Sequence, residues 1–270
     1  MISTKRFIST TILLGCFAAA LPAADEPLPP AEKILDRYIE VTGGKAAYAK
    51  LKSQITSMTM FMPAQNMKIS ITQYVLEPDK RYAAVEMPGM GTAEEGSNGT
   101  IAWSKNPAMG PRLKEGEERD IALRSNALDK DLNWKNYYTK AETVGTEDVD
   151  GKTCYKVSMT PKVGPAETRY YDKATGYIAK LSMTAKTPMG DVPSDITFKE
   201  FKATGGITSP TKMTTQMMGQ QMDMTIDSVQ YNPEISPDKF KVPDDIQALV
   251  DKKSGAAAKP AAVPAPAEKK

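Results

Sequence analysis

Methionine recurs in this chain with a period of two. Met58, Met60 and Met62 alternate with Thr59 and Phe61, and Met222, Met224 and Ile226 alternate with Asp223 and Thr225. Successive side chains of a strand point to opposite faces, so this spacing specifies β-strands with one apolar face and argues against helix at both places. The residue type adds a second constraint. Methionine is unbranched and polarisable, and a face built from it adapts to irregular apolar shapes. Two readings follow: the thioethers fill a closed core, or they line a soft surface that holds a greasy ligand.

The rest of the chain is consistent with one β-rich domain over residues 28–250, which is long enough to bury a sizeable core. After Pro27, Pro29 and Pro30, residues 31–41 place Ile34, Leu35, Tyr38 and Val41 on one helical stripe, and Gly43 and Gly44 stop it. A short amphipathic turn over residues 45–51 follows. Strands are then expected at residues 53–62, 67–76, 81–87, 92–97 and 100–104, with Asn98 and Gly99 turning the last pair. Residues 117–132 break this rhythm with Ile121, Ser125, Leu128 and Leu132 on one face, as expected of a helix laid over the sheet. Strand patterns return at 141–147, 152–160, 167–172, 178–187, 196–202, 211–218 and 222–231, with a turn at Asp150 and Gly151. Ser236 and Pro237 start a capped helical turn that ends at Phe240. Roughly ten strands with short connections imply an α+β fold on one large, curved antiparallel sheet.

The N-terminus has the form of an export signal over residues 1–24. Lys5 and Arg6 precede an uncharged run from Phe7 to Leu21, and the first acid is Asp25. The run is shorter than a membrane span and is interrupted by Ser9, Thr10 and Thr11. Leu13, Leu14, Gly15 and Cys16 also resemble a lipobox, so two maturation routes stand open: cleavage to a soluble periplasmic form, or an outer-membrane lipoprotein anchored through Cys16. Either route leaves Cys154 alone, and in its strand pattern it reads as a small buried hydrophobe. Residues 252–270 form an Ala/Pro/Lys tail expected to be disordered. The five lysines and one glutamate from Lys252 onward leave residues 25–251 with 28 basic and 32 acidic residues. That body lacks the basic face of a nucleic-acid binder.

Catalytic chemistry is poorly encoded. The sequence has no histidine, which removes the commonest general base and metal ligand, together with histidine-dependent triads and zinc sites. Glu94 with Glu95, Glu117 with Glu118 and Asp244 with Asp245 are adjacent, and neighbours on a strand face opposite ways. Ser209 to Lys212 and Ser236 to Lys239 match a serine–lysine spacing, but the first pair divides between strand faces and the second is explained by capping. Thioether sulfur suits Cu(I), so Met58, Met60 and Met62 are a further alternative as a soft metal site. A lipid carrier needs only dry volume and access, which fits this chemical silence. No enzyme activity and no cofactor are expected.

Several landmarks in order carry a resemblance. They are Thr42-Gly43-Gly44 after the opening helix, Pro78-Asp79-Lys80-Arg81-Tyr82, Asn98-Gly99-Thr100-Ile101-Ala102-Trp103, Asp150-Gly151-Lys152-Thr153-Cys154-Tyr155, Asp172-Lys173-Ala174-Thr175-Gly176-Tyr177-Ile178, and Tyr231-Asn232-Pro233 leading to Phe240 and Pro243. In this order the chain resembles the bacterial outer-membrane lipoprotein-sorting family, with its LolA, LolB, LppX and RseB-like fold. The resemblance implies an unclosed half-barrel whose concave face is apolar and covered by helices. It also implies partners such as a lipid or an acylated lipoprotein, with other envelope proteins or the membrane surface as further partners. The expected ligand face comprises Met67, Ile69, Ile71, Val85, Met87, Trp103, Leu181, Met183, Met213, Met222, Met224 and Ile226. The alternative is an envelope interaction scaffold or sensor with a filled core, using the sheet edge or rim.

Overall fold

The computed structural model of the protein describes residues 27–187 and 190–255. The expected export signal with Cys16, and the tail beyond Gly255, lie outside the described residues.

Two helices open the described chain, α1 (Ala31–Val41) and α2 (Lys45–Tyr48). Six strands come next: β1 (Ser53–Met62), β2 (Met67–Leu76), β3 (Lys80–Met87), β4 (Gly91–Asn98), β5 (Ala102–Asn106) and β6 (Gly110–Lys114). Helix α3 (Gly116–Asn126) then leads to β7 (Tyr138–Val149), β8 (Lys152–Pro161), β9 (Glu167–Asp172), β10 (Ile178–Thr187), β11 (Gly190–Thr204), β12 (Ile207–Met217) and β13 (Gln220–Tyr231). Helix α4 (Asp244–Lys253) comes last.

All thirteen strands form one sheet in the order β6-β5-β4-β3-β2-β1-β13-β12-β11-β10-β9-β8-β7, with antiparallel pairing throughout. That order dictates the architecture. Strands β1 to β6 step outward to one edge, and β7 to β13 step inward from the other until β13 meets β1. The segment between β6 and β7 must therefore cross the sheet over one of its faces. A twist of about 20–25° per strand accumulates across the sheet and curls it around that crossover. The result is an unclosed half-barrel. The curl brings Pro78 and Asp79, between β2 and β3, to the same hollow of about 360 Å³ as Lys162 and Val163 beyond β8, with Leu123 and Ala127 also lining it.

The core lies where α1 meets the β7–β9 side. Ala31, Ile34 and Leu35 pack with Tyr138, Val157, Met159 and Tyr171, while Ile39, Tyr48, Leu51 and Ile207 form an adjoining cluster. The Thr42-Gly43-Gly44 stop is a tertiary junction. Thr42 is 0% exposed, its hydroxyl lies 2.8 Å from the Tyr48 hydroxyl, and its carbonyl accepts from the Thr208 N–H at 2.8 Å. Gly43, at φ +141°, passes so close that a Cβ would sit 2.4 Å from the Gly206 carbonyl oxygen. The Asp150-Gly151 turn has both residues at positive φ, 52° and 76°, as a two-residue hairpin connection requires.

Three expectations are corrected. Helix α3 ends at Asn126 and does not run to residue 132, because Ala127 turns extended and Leu128 and Leu132 pack against the Ile39–Ile207 cluster. Strand β6 and helix α4 stand beyond the expected elements; β6 contains Gly110 and Pro111, which weaken a strand signal and suit an edge. Lys252 and Lys253 are the last turn of α4, so folded structure extends past the expected start of the tail.

Candidate functional site

Register assigns faces without ambiguity. On β2 and β3, Ile71 pairs with Val85; on β1 and β2, Met58 pairs with Ile71, Met60 with Ile69 and Met62 with Met67. Met224 of β13 stands opposite both Met60 and Met213, Ile226 stands opposite Met58, and Met213 stands opposite Phe198. A second row runs Val157, Arg169, Leu181, Ile196, Thr215 and Met222 across β8 to β13. Val157 packs with α1, so these rows and α1 share the inner face.

Eleven of the twelve expected ligand-face residues thus lie on this face: Met67, Ile69, Ile71, Val85, Met87, Leu181, Met183, Met213, Met222, Met224 and Ile226. Met58, Met60 and Met62 join them. Trp103 is the exception. It pairs with Gly96 and Leu113 on the outer face, is 2% exposed, and lies 6.3 Å from the Tyr82 ring. Gly96 makes room for it, since a Cβ there would be 2.3 Å from the indole. The parity of β5 hid this, because a hairpin pattern alone does not say which arm faces inward.

The inner face is not uniformly covered. None of the eleven belongs to the clusters built by α1, α2 and the crossover. Ile69 is 4% exposed, and the other ten are half-buried. By contrast Met159, on the same face beneath α1, is 0% exposed. The thioether rows therefore form an apolar strip that the chain's own side chains leave partly open.

At one end of that strip lies a hollow of about 250 Å³ with an apolar wall that includes Ile178, Leu181, Met183 and Phe198. Its other wall is polar. Arg169 is 6% exposed and donates to Glu167 at 2.9 Å, to Asp131 at 2.8 Å and to the Tyr138 hydroxyl at 2.8 Å. Arg124 and Arg169 both lie over the Tyr138 ring, at 5.5 and 5.2 Å. Lys130 donates to the Ser125 carbonyl at 3.1 Å, and burial holds its pKa below the usual value, with the Arg169 charge adding to that and Asp131 opposing it. Sequence reasoning missed this cluster. Its members are scattered over residues 124–169 and only the crossover brings them to β9.

The outer face is closed differently. Lys239 sits over the Tyr74 and Tyr82 rings at 4.6 and 4.5 Å, Tyr82 hydrogen-bonds Glu94, and Asp245 of α4 pairs with Lys105 at 3.0 Å. Ser236 accepts from the Asp238 N–H, as its capping reading requires. Cys154 is free and 0% exposed, and burial pushes its thiol up to about 11. Among the described residues no group of three or more Cys, Asp or Glu is placed to hold a metal ion, and no helix is long and apolar enough to cross a membrane.

No family model matches the chain. No curated protein matches it either. Solved structures do. A candidate outer-membrane lipoprotein-sorting protein domain from Vibrio parahaemolyticus is 16% identical, with a TM-score of 0.55 over 78% of this chain and 97% of that one. A LolA superfamily protein from Nitrosomonas europaea is 12% identical, with a TM-score of 0.55 over 80% of this chain and 99% of that one. At such identities the likeness is one of fold.

Proposed function

We propose that this protein, which has the fold of the lipoprotein-sorting superfamily, is a non-enzymatic binding protein of the bacterial envelope that carries or senses lipid acyl chains. The observation that carries this reading is the partly open strip of Met60, Met213, Met222 and Met224 beside the hollow under α3. The cross-strand row from Phe198 through Met213, Met224 and Met60 to Ile69 crosses four strand steps, roughly 19 Å at the usual spacing. One acyl chain fills about half of a bilayer's ~30 Å hydrocarbon core, so the row is long enough to lay such a chain along. At about 0.8 kcal/mol per buried methylene, a chain of about 16 carbons gains on the order of 12 kcal/mol when fully enclosed, and about half of that in an open groove, before ordering costs. The strip needs no reactive group to work, in keeping with a sequence that has no histidine. Export to the periplasm, with anchoring through Cys16 as the alternative, completes the proposal.

Native mass spectrometry of protein purified from its own envelope tests it. Co-purifying lipid is expected. Protein that stays ligand-free after incubation with acyl lipids would overturn carriage and favour a scaffold role. The exposed methionines Met90, Met109 and Met218, at 52%, 73% and 61%, support that second reading, because hairpin tips of this kind offer apolar contact to a partner.

A further inference from the structure

The hollow next to the methionine strip has an unbalanced polar wall. Arg124, Lys130 and Arg169 line it against only two carboxylates, Asp131 and Glu167. The carboxylates are both engaged by Arg169, at 2.8 and 2.9 Å. Arg124 donates to the Val163 carbonyl, and Lys130 to the Ser125 carbonyl at 3.1 Å, so neither cation has a carboxylate partner among the described residues. Tyr171 supplies the independent observation. It is 1% exposed, it lines the same hollow, and its hydroxyl has no hydrogen-bond partner among the described residues. Burial pushes that hydroxyl up to about 12, so it keeps its proton and remains a donor. A buried donor without an acceptor costs free energy, and so does a desolvated cation without an anion.

We infer that this hollow is a head-group site for an anionic acyl lipid, in which Lys130, Arg124 and the Tyr171 hydroxyl receive a carboxylate or phosphate while the hydrocarbon runs out over Leu181, Met183 and Phe198 onto the methionine strip. The inference rests on the proposed acyl-binding function and adds the chemical class of the ligand. The geometry is continuous. Arg169 and Leu181 are register partners, Leu181 pairs with Ile196, and Phe198 pairs with Met213, so charge and hydrocarbon surface adjoin on one face. One anion offsets the excess cation and gives Tyr171 its acceptor. Arg169 is already held by Glu167, Asp131 and the Tyr138 hydroxyl and acts as a positioning residue that holds the wall together.

The test uses the full mature chain, delipidated, with four probes: palmitate, palmitoyl lysophosphatidic acid, the neutral 1-hexadecanol, and inorganic phosphate. The acidic lipids are expected to bind at least about tenfold more tightly than hexadecanol, the scale of a hydrogen-bonded charge contact. Lys130→Met and Tyr171→Phe should each weaken the acidic lipids while leaving hexadecanol unchanged, and Lys130→Arg should restore binding. Tighter binding of palmitate names a carboxylate head; tighter binding of the lysophosphatidic acid names a phosphate. Equal affinity for acid and alcohol, or a loss in Lys130→Met shared by both, would overturn the head-group site and leave acyl binding standing. Absence of binding by every acyl probe overturns both readings, and phosphate binding alone reduces the cluster to a free-anion site.

Discussion

Met159 and Met60 are the same residue type on the same face of the same sheet, yet one is 0% exposed under α1 and the other is half-buried. The difference lies in what covers them. Around Met159 the amphipathic stripe of α1 supplies Ala31, Ile34 and Leu35, and the packing is closed. Around Met60 the partners are other sheet residues, Ile69 and Met224, and among the described residues no helix adds to a core cluster there. A sheet face is therefore a closed core or a partly open surface depending on which helix lies over it, and the strand itself does not encode that cover. Soft thioethers suit the second use, because they tolerate a filling that comes and goes.

The contrast can be broken by mutation. Met159→Ala should cost about 2–5 kcal/mol in urea unfolding, as expected for a cavity in a closed core, whereas Met60→Ala should cost less than about 1 kcal/mol. Equal losses would mean that the two regions are packed alike. The outer face should behave as a closed region too: Gly96→Val drives a side chain into the Trp103 ring and should destabilise by about 1–3 kcal/mol, with an altered Trp103 emission. A normal midpoint in that variant would show that the indole has room to move.

Binding sharpens the same comparison from the other side. Met60→Asp combined with Met224→Asp places two charges on the open strip and should lower acyl-lipid affinity by more than about tenfold while the unfolding midpoint shifts little. A comparable loss of folding would identify the strip as core. The smallest effect is expected at Cys154, whose thiol is raised from 9.0 to about 11. Because the folded state holds that proton more tightly than the unfolded state, the associated stability is full below about pH 9 and falls as pH rises toward 11. Thiol labelling at pH 8 should be slow in native protein and fast in urea; rapid native labelling would contradict the burial.

Legibility followed the range of the interactions. The bounds of α1, β1 and β2 could be read from periodicity and stop signals, since Gly43 and Gly44 end the helix and the 63–66 turn separates two strands of alternating character. Helix α4 was readable in principle, with Pro243 before Asp244 and Asp245 in its first turn and Lys252 and Lys253 in its last, a pattern that complements the helix dipole. The tail composition that begins at Lys252 masks that signal, because the same lysines close the helix. The end of α3 was not readable, because Leu128 and Leu132 keep helical spacing and leave the helix only to meet Ile39 and Ile207. Within the site, the methionine face could be found from alternation, whereas Trp103 and the Arg124, Lys130 and Arg169 wall could not.

Local alternation and the absence of histidine were enough to set antiparallel strands with a thioether face and to remove most catalytic chemistries, because both are properties of near neighbours or of the residue inventory. Which way that face turned, how much of it stayed open, and which charges came to stand beside it were decided by the chain's path from β6 to β7. That path is long-range: strand parity fixes two faces but is blind to inside and outside, and the crossing segment together with α1 breaks the symmetry between them.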